Sequence, residues 1–146
     1  MRAIGCLHGL VLAVAFALST GHTLDELVDF GLGGFEGGGY YDDWAQQHGR
    51  GEGALDAFVR EFVRGRAMIY DRSEVSLVGD TYRVTSPLWF WAETPEFFFY
   101  YGLTPEEFSQ YTRRLAEENA RRLGIDLTLT YADGQEVAQI RSERLQ

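Results

Sequence analysis

Apolar residues run almost unbroken from Ala3 to Leu18 after a lone Arg2, and Leu7, Leu10, Val11, Val14, Ala15 and Leu18 fall at helical spacing. Ser19-Thr20-Gly21 then stops the pattern. Two readings fit residues 1–20. One is a first core helix. The other is a signal peptide with a short basic start and small-residue cleavage sites at Ala15-Phe16-Ala17 or Ala17-Leu18-Ser19. His8, flanked by Gly5 and Gly9, sits awkwardly in a secretory core, which favours the helix and a cytoplasmic protein; a cleaved leader would make the protein secreted. The stretch is short for a membrane span, so none is expected.

Residues 21–146 read as a single domain. Thr23-Leu24-Asp25-Glu26 is a capping box, in which hydroxyl and carboxylate satisfy free backbone N–H groups reciprocally; it opens a helix carrying Leu24, Leu27, Val28 and Leu32. Gly31 to Gly39 is glycine-rich, either a loop or a helix whose glycines allow close packing, since each interior glycine costs about 1 kcal/mol relative to alanine. Tyr40 to Gln47 resumes as helix and ends near His48-Gly49. After an exposed Gly49–Gly53 linker, Leu55, Phe58, Val59, Phe62 and Val63 form one helical stripe, which Gly65 is expected to end.

The period then changes to two. Ala67–Tyr70, Glu74–Val78 and Thr81–Thr85 are predicted strands, with Gly79-Asp80 as a type II′ hairpin turn and Pro87 closing the segment. Thr104-Pro105-Glu106-Glu107 is a second capping box, with proline at the first helical position. Its helix runs to about Leu123, burying Phe108, Tyr111, Leu115 and Leu123. On the wet face Arg113/Glu117, Arg114/Glu118, Glu117/Arg121 and Glu118/Arg122 are paired four apart. Leu127, Leu129 and Tyr131 alternate along a strand that Ala132-Asp133-Gly134 turns back into Glu136–Ile140. The fold class is α+β: N-terminal helices, then an antiparallel sheet built from two hairpins with a long helix between them.

Charge narrows the partners. The net charge is −9, and between Gly21 and Val63 nine acids face only Arg50 and Arg60. Such a surface repels phosphate backbones and anionic headgroups, so no nucleic-acid partner is expected. All thirteen basic residues are arginines, which removes lysine Schiff-base chemistry and the lysine of a phosphate loop. Cys6 is the only cysteine, so no internal disulfide or cysteine-based zinc site can form. His8, His22 and His48 lack ligand spacing, and no metal or cofactor is expected.

Candidate chemistry rests on aromatics. They make up 14% of the chain, clustered as Leu88-Trp89-Phe90-Trp91 and Phe97 to Tyr101. Five consecutive aromatics cannot all face one core, so some meet a second buried surface: core, a dimer or partner interface, or the wall of an apolar pocket. Tyr40, Tyr41 and Trp44 flank Asp42 and Asp43, as aromatics often do beside carboxylates at polysaccharide or small-molecule sites. Candidate ligand-binding residues are therefore Tyr40, Tyr41, Trp44, Trp89, Trp91, Phe97, Phe98, Tyr100 and Tyr101. Asp42, Asp43 and His48 are the acid–base candidates of an enzymatic alternative. Adjacent carboxylates on a helix point about 100° apart, however, which disfavours a shared ligand.

Three stretches resemble the superfamily of ligand-binding domains of nitric-oxide signalling and Golgi transport, which includes the 4-vinyl-reductase domain. They are Phe30 to Gly38 as its glycine-spaced helix, Leu55 to Val84 as its helix–strand–strand step, and Gly102 to Tyr131 as its closing helix and strand. The family's C-terminal cysteines, its haem-ligating histidine and its Tyr-x-Ser-x-Arg pattern have no counterpart here. The resemblance implies an apolar small-molecule pocket, often in a homodimer, under an α+β shell, with no haem. Trp89 to Tyr101 and the lack of a nucleophile, base pair or metal set point to a non-enzymatic module that binds a small hydrophobic molecule or a protein partner.

Overall fold

In the computed structural model, which describes residues 2–88 and 95–143, the chain is α+β. The order is α1 (Arg2–Ser19), α2 (Leu24–Gly37), α3 (Tyr40–His48), α4 (Glu52–Tyr70), β1 (Glu74–Val78), β2 (Thr81–Pro87), α5 (Pro95–Tyr100), α6 (Pro105–Arg122), β3 (Ile125–Ala132) and β4 (Gln135–Ser142). The strands form one antiparallel sheet in the order β1-β2-β4-β3.

Local chemistry fixes most boundaries. Both capping boxes close: the Thr23 and Thr104 hydroxyls accept from the Glu26 and Glu107 N–H groups, and those carboxylates accept from the threonine N–H groups in return. Each cap contributes about 1 kcal/mol. Gly79 supplies the positive φ of the first hairpin, and Asp133-Gly134, both at positive φ, supply that of the second.

Alternation decides which sheet face is covered. Val84 on β2, Ala138 and Ile140 on β4, and Leu127 and Leu129 on β3 share the inner face and are buried. Thr128, Thr130, Gln139 and Arg83 stand on the exposed outer face. The helical layer therefore lies on one side of the sheet. α4 packs over β2 and β4, and α6 packs on β3. One core joins the sheet to Tyr41, Phe58, Val59, Ala120 and Leu123. A second joins Leu7, Val11, Val14 and Ala15 of α1 to Tyr70, Leu88, Phe98, Leu103 and Phe108. Burying one such aliphatic side chain is worth roughly 1.5–3 kcal/mol, so α1 contributes a substantial part of that second core. β1 is an uncovered edge, with every residue exposed.

Two expectations are corrected, and one left open is decided. α4 does not end at Gly65 but continues to Asp71, whose φ of 67° breaks it, so Ala67–Tyr70 is helix and not strand. Interior glycine costs about 1 kcal/mol, and the added turn more than offsets it by burying Arg66 and Tyr70 against β4. The glycine-rich stretch is helical through Gly37. The four-apart pairs on α6 are replaced: Arg121 binds Glu118, Arg114 reaches Asp25, Arg122 reaches Glu36, and Glu117 accepts from the Leu129 N–H. Longer-range partners hold α6 to α2 and β3.

Candidate functional site

α4 and α6 lie side by side on the sheet but leave a cavity of about 390 Å³ between them. Helical periodicity builds its walls. Phe58, Phe62 and Arg66, spaced four apart on α4, face it together with Glu61 and Gly65. Tyr111, Thr112, Leu115 and Ala116 face it from α6. Leu10, Phe35, Tyr40 and Trp44 complete the lining from α1, α2 and α3. The volume falls within the range of small-molecule sites, which are mostly apolar with a few placed polar groups.

A buried ion pair lies beside this groove. The hairpin register sets Glu136 opposite Tyr131 on one side and Ser86 on the other, so its side chain points inward beneath α4 with 1% of its surface exposed. Arg66 Nε donates to Glu136 Oε1 at 2.6 Å, and the Tyr70 hydroxyl donates to Oε2 at 3.2 Å. The Arg66 guanidinium stacks on the Phe62 ring, 4.6 Å from its centroid. Burial works most strongly against the Arg66 charge, but Glu136, Tyr70 and Tyr131 together outweigh it and hold its pKa above the usual value. Burial, reinforced by Glu136, raises the Tyr70 and Tyr131 hydroxyls. Tyr131 donates to the Ser109 carbonyl at 3.1 Å, with Thr112 Oγ1 at 3.2 Å.

One donor of this cluster is unused. Arg66 Nη2 is buried without a hydrogen-bond partner among the described residues, and so is Trp44 Nε1 on another wall. An unmet buried donor costs roughly 1–3 kcal/mol, more when charged. The groove is thus an aromatic-walled space with the Arg66–Glu136 pair buried beside it.

The sequence candidates divide. Tyr40 and Trp44 line the groove. Tyr41 is buried beside it and donates to Asn119 Oδ1 at 2.9 Å. Phe98 is fully buried in the second core, Tyr100 is 80% exposed, and the Tyr101 hydroxyl meets His8 Nε2 at 2.8 Å; none of the three lines the groove. Trp89, Trp91 and the side chain of Phe97 lie outside the described residues. Asp43 and His48 border an open depression next to the groove, both exposed and without a hydrogen bond between them, while Asp42 faces Arg50. The His48 ring lies tilted against Trp44, with centroids 4.6 Å apart. Among the described residues no group of three or more His, Cys, Asp or Glu could hold a metal ion.

Sequence reasoning missed Arg66 and Glu136, although both left a signal. Arg66 continues the Phe58–Phe62 spacing, and Glu136 occupies the inward positions of Ala138 and Ile140.

The class defined here is an α+β protein whose helical layer, on one face of a four-stranded antiparallel sheet, encloses an aromatic groove above a buried Arg–Glu pair. The chain is 35% identical over 139 residues to YxnB, an uncharacterized protein of Bacillus subtilis strain 168; the match spans 95% of this chain and 86% of the relative. It belongs to the same family as YxnB. No protein-family model matches the chain, and no solved structure matches it. Among the described residues no helix is long and apolar enough to cross a membrane.

Proposed function

We propose that this protein is a non-enzymatic module that binds or senses a small hydrophobic molecule in the groove between α4 and α6. The observation that carries the reading is the aromatic-lined space of about 390 Å³ between the two helices. A core without a ligand has reason to fill such a space. The likeness to the nitric-oxide signalling and Golgi-transport superfamily belongs to this proposal, since it implies a small-molecule pocket under an α+β shell.

A second reading, association with a partner or a second copy, is favoured by a different surface. β1 is an uncovered edge strand that exposes Val75, Leu77 and Val78, and such edges invite pairing. Native mass spectrometry of protein purified from its own host tests both readings. Extra mass that leaves on denaturation supports the groove. A bare monomer mass that also takes up nothing from a mixture of apolar aromatic compounds refutes it.

A further inference from the structure

The charge of the groove's occupant follows from what stands at its mouth; this step rests on the binding reading above and narrows it. Tyr40, Trp44 and Glu61 line both the groove and the open depression beside it, and Asp43 and His48 line the depression with them. Both carboxylates are exposed, so a molecule entering from solvent reaches them. Glu61 meets Arg64 at 3.3 Å on its own helix, with both side chains half or more exposed, a screened pair that contributes little. Asp43 makes no ion pair or side-chain hydrogen bond among the described residues. The Arg66 charge, by contrast, is neutralised by Glu136 and buried out of a ligand's reach.

The mouth is therefore negative. Burial first, and the Glu61 charge second, raise the Tyr40 hydroxyl, so the field of that carboxylate is felt at the aromatic wall. The surrounding elements agree in sign: between Gly21 and Val63 nine acids stand against Arg50 and Arg60, and only Asp25 and Glu36 of the nine are paired to arginines of α6. An anion entering here meets two like charges, and a neutral molecule leaves both carboxylates unused. A cation gains from both, and from the Tyr40 and Trp44 rings, whose faces attract positive charge. Behind the mouth, Phe35, Phe58, Phe62 and Tyr111 suit offset and edge-on contact with a flat apolar body. We propose that the groove binds an organic amine, with an apolar, mainly aromatic body between α4 and α6 and a protonated nitrogen at the mouth beside Glu61 and Asp43.

Three probes of one shape test this by isothermal titration calorimetry on the full chain: 2-naphthylmethylamine, 2-naphthalenemethanol and 2-naphthoate. The amine is expected to bind roughly tenfold tighter than the alcohol, the order of effect that two partly exposed carboxylates supply, and the naphthoate weakest. Added salt should shrink the amine's lead and leave the alcohol unchanged. Equal binding of amine and alcohol, or tighter binding of naphthoate, overturns the charge assignment and leaves the groove standing as a site. Binding of none of the three overturns the groove itself.

The matching variant is Asp43→Asn with Glu61→Gln, at exposed positions where the fold should hold. In it, amine affinity should fall to that of the alcohol while alcohol affinity stays. A control, Asp29→Asn with Glu52→Gln, makes the same change in net charge on exposed residues that line neither space, and should keep the amine's lead. An undiminished lead in the first variant, or an equal loss in both, refutes the role of Asp43 and Glu61.

Discussion

Gly65 offers a test in which stability and binding move in opposite directions. It sits in the interior of α4 with ordinary helical φ, lines the groove, and a Cβ built on it meets nothing within 4 Å. Gly65→Ala should therefore stabilise the fold by about 1 kcal/mol, the helix-propensity difference, since no contact opposes it. For a chain of this length that is a rise in Tm of about 3 °C. Gly65→Leu keeps most of that gain, because leucine is nearly as good a helix former, and its side chain extends into the groove. Guanidinium denaturation should show both variants at higher midpoints with unchanged slope. Calorimetry should show 2-naphthylmethylamine binding retained in the alanine variant and lost in the leucine variant. The sign for alanine is decisive. Had α4 ended at Gly65, as the residues suggest, the glycine would occupy a left-handed cap and alanine would cost about 1 kcal/mol. A destabilised Gly65→Ala refutes the continuous helix, and undiminished binding by a folded Gly65→Leu refutes the groove.

Other expectations follow from the buried cluster and the caps. Glu136→Gln strands the Arg66 charge and should cost roughly 3–5 kcal/mol by denaturant unfolding, whereas Arg66→Met with Glu136→Met, which removes both charges together with the Glu136 acceptor of the Tyr70 hydroxyl, should cost less than that. Stability should hold from neutral pH to about 9 and fall above about 10: Tyr70 and Tyr131 have raised pKa values, so the unfolded chain loses their protons first and the folded state binds more. Each contributes a slope of about 1.4 kcal/mol per pH unit there, and Tyr70→Phe should flatten the alkaline limb by that amount in unfolding measured against pH. Thr104→Ala removes the acceptor for the Glu107 N–H and should cost about 1 kcal/mol, read as a lower unfolding midpoint.

How much was legible depended on whether the determining residues were near one another in sequence. Both hairpins follow from the dipeptides Gly79-Asp80 and Asp133-Gly134, and two helix starts follow from capping boxes whose partners stand three residues apart. Tyr40 and Trp44, noticeable in the sequence as aromatics beside the Asp42-Asp43 carboxylates, line the groove. The turn from Arg66 to Tyr70 was not. Ala67–Tyr70 is too short an apolar run to carry a period, and what settles it as helix is Glu136, sixty-six residues beyond Tyr70. The described part of the aromatic segment divides as one core could not hold it all: Phe98 lies in the core, Tyr100 in solvent and Tyr101 against His8.

The glycines make the same point within the site. Gly31 and Gly65 both lie inside helices where a propensity rule assigns the same penalty. At Gly31 a Cβ would lie 3.5 Å from Leu115 Cδ1, an ordinary van der Waals contact, so alanine would fit there against α6. At Gly65 the corresponding position is open, and the missing side chain leaves part of the groove unfilled. One glycine faces a neighbouring helix at contact distance and the other faces an open space. The difference lies in what stands opposite each, which the fold determines and the local sequence does not. A glycine that costs helix stability and returns no packing contact needs another compensation, and in this protein the space it leaves beside Arg66 is where that compensation is to be sought.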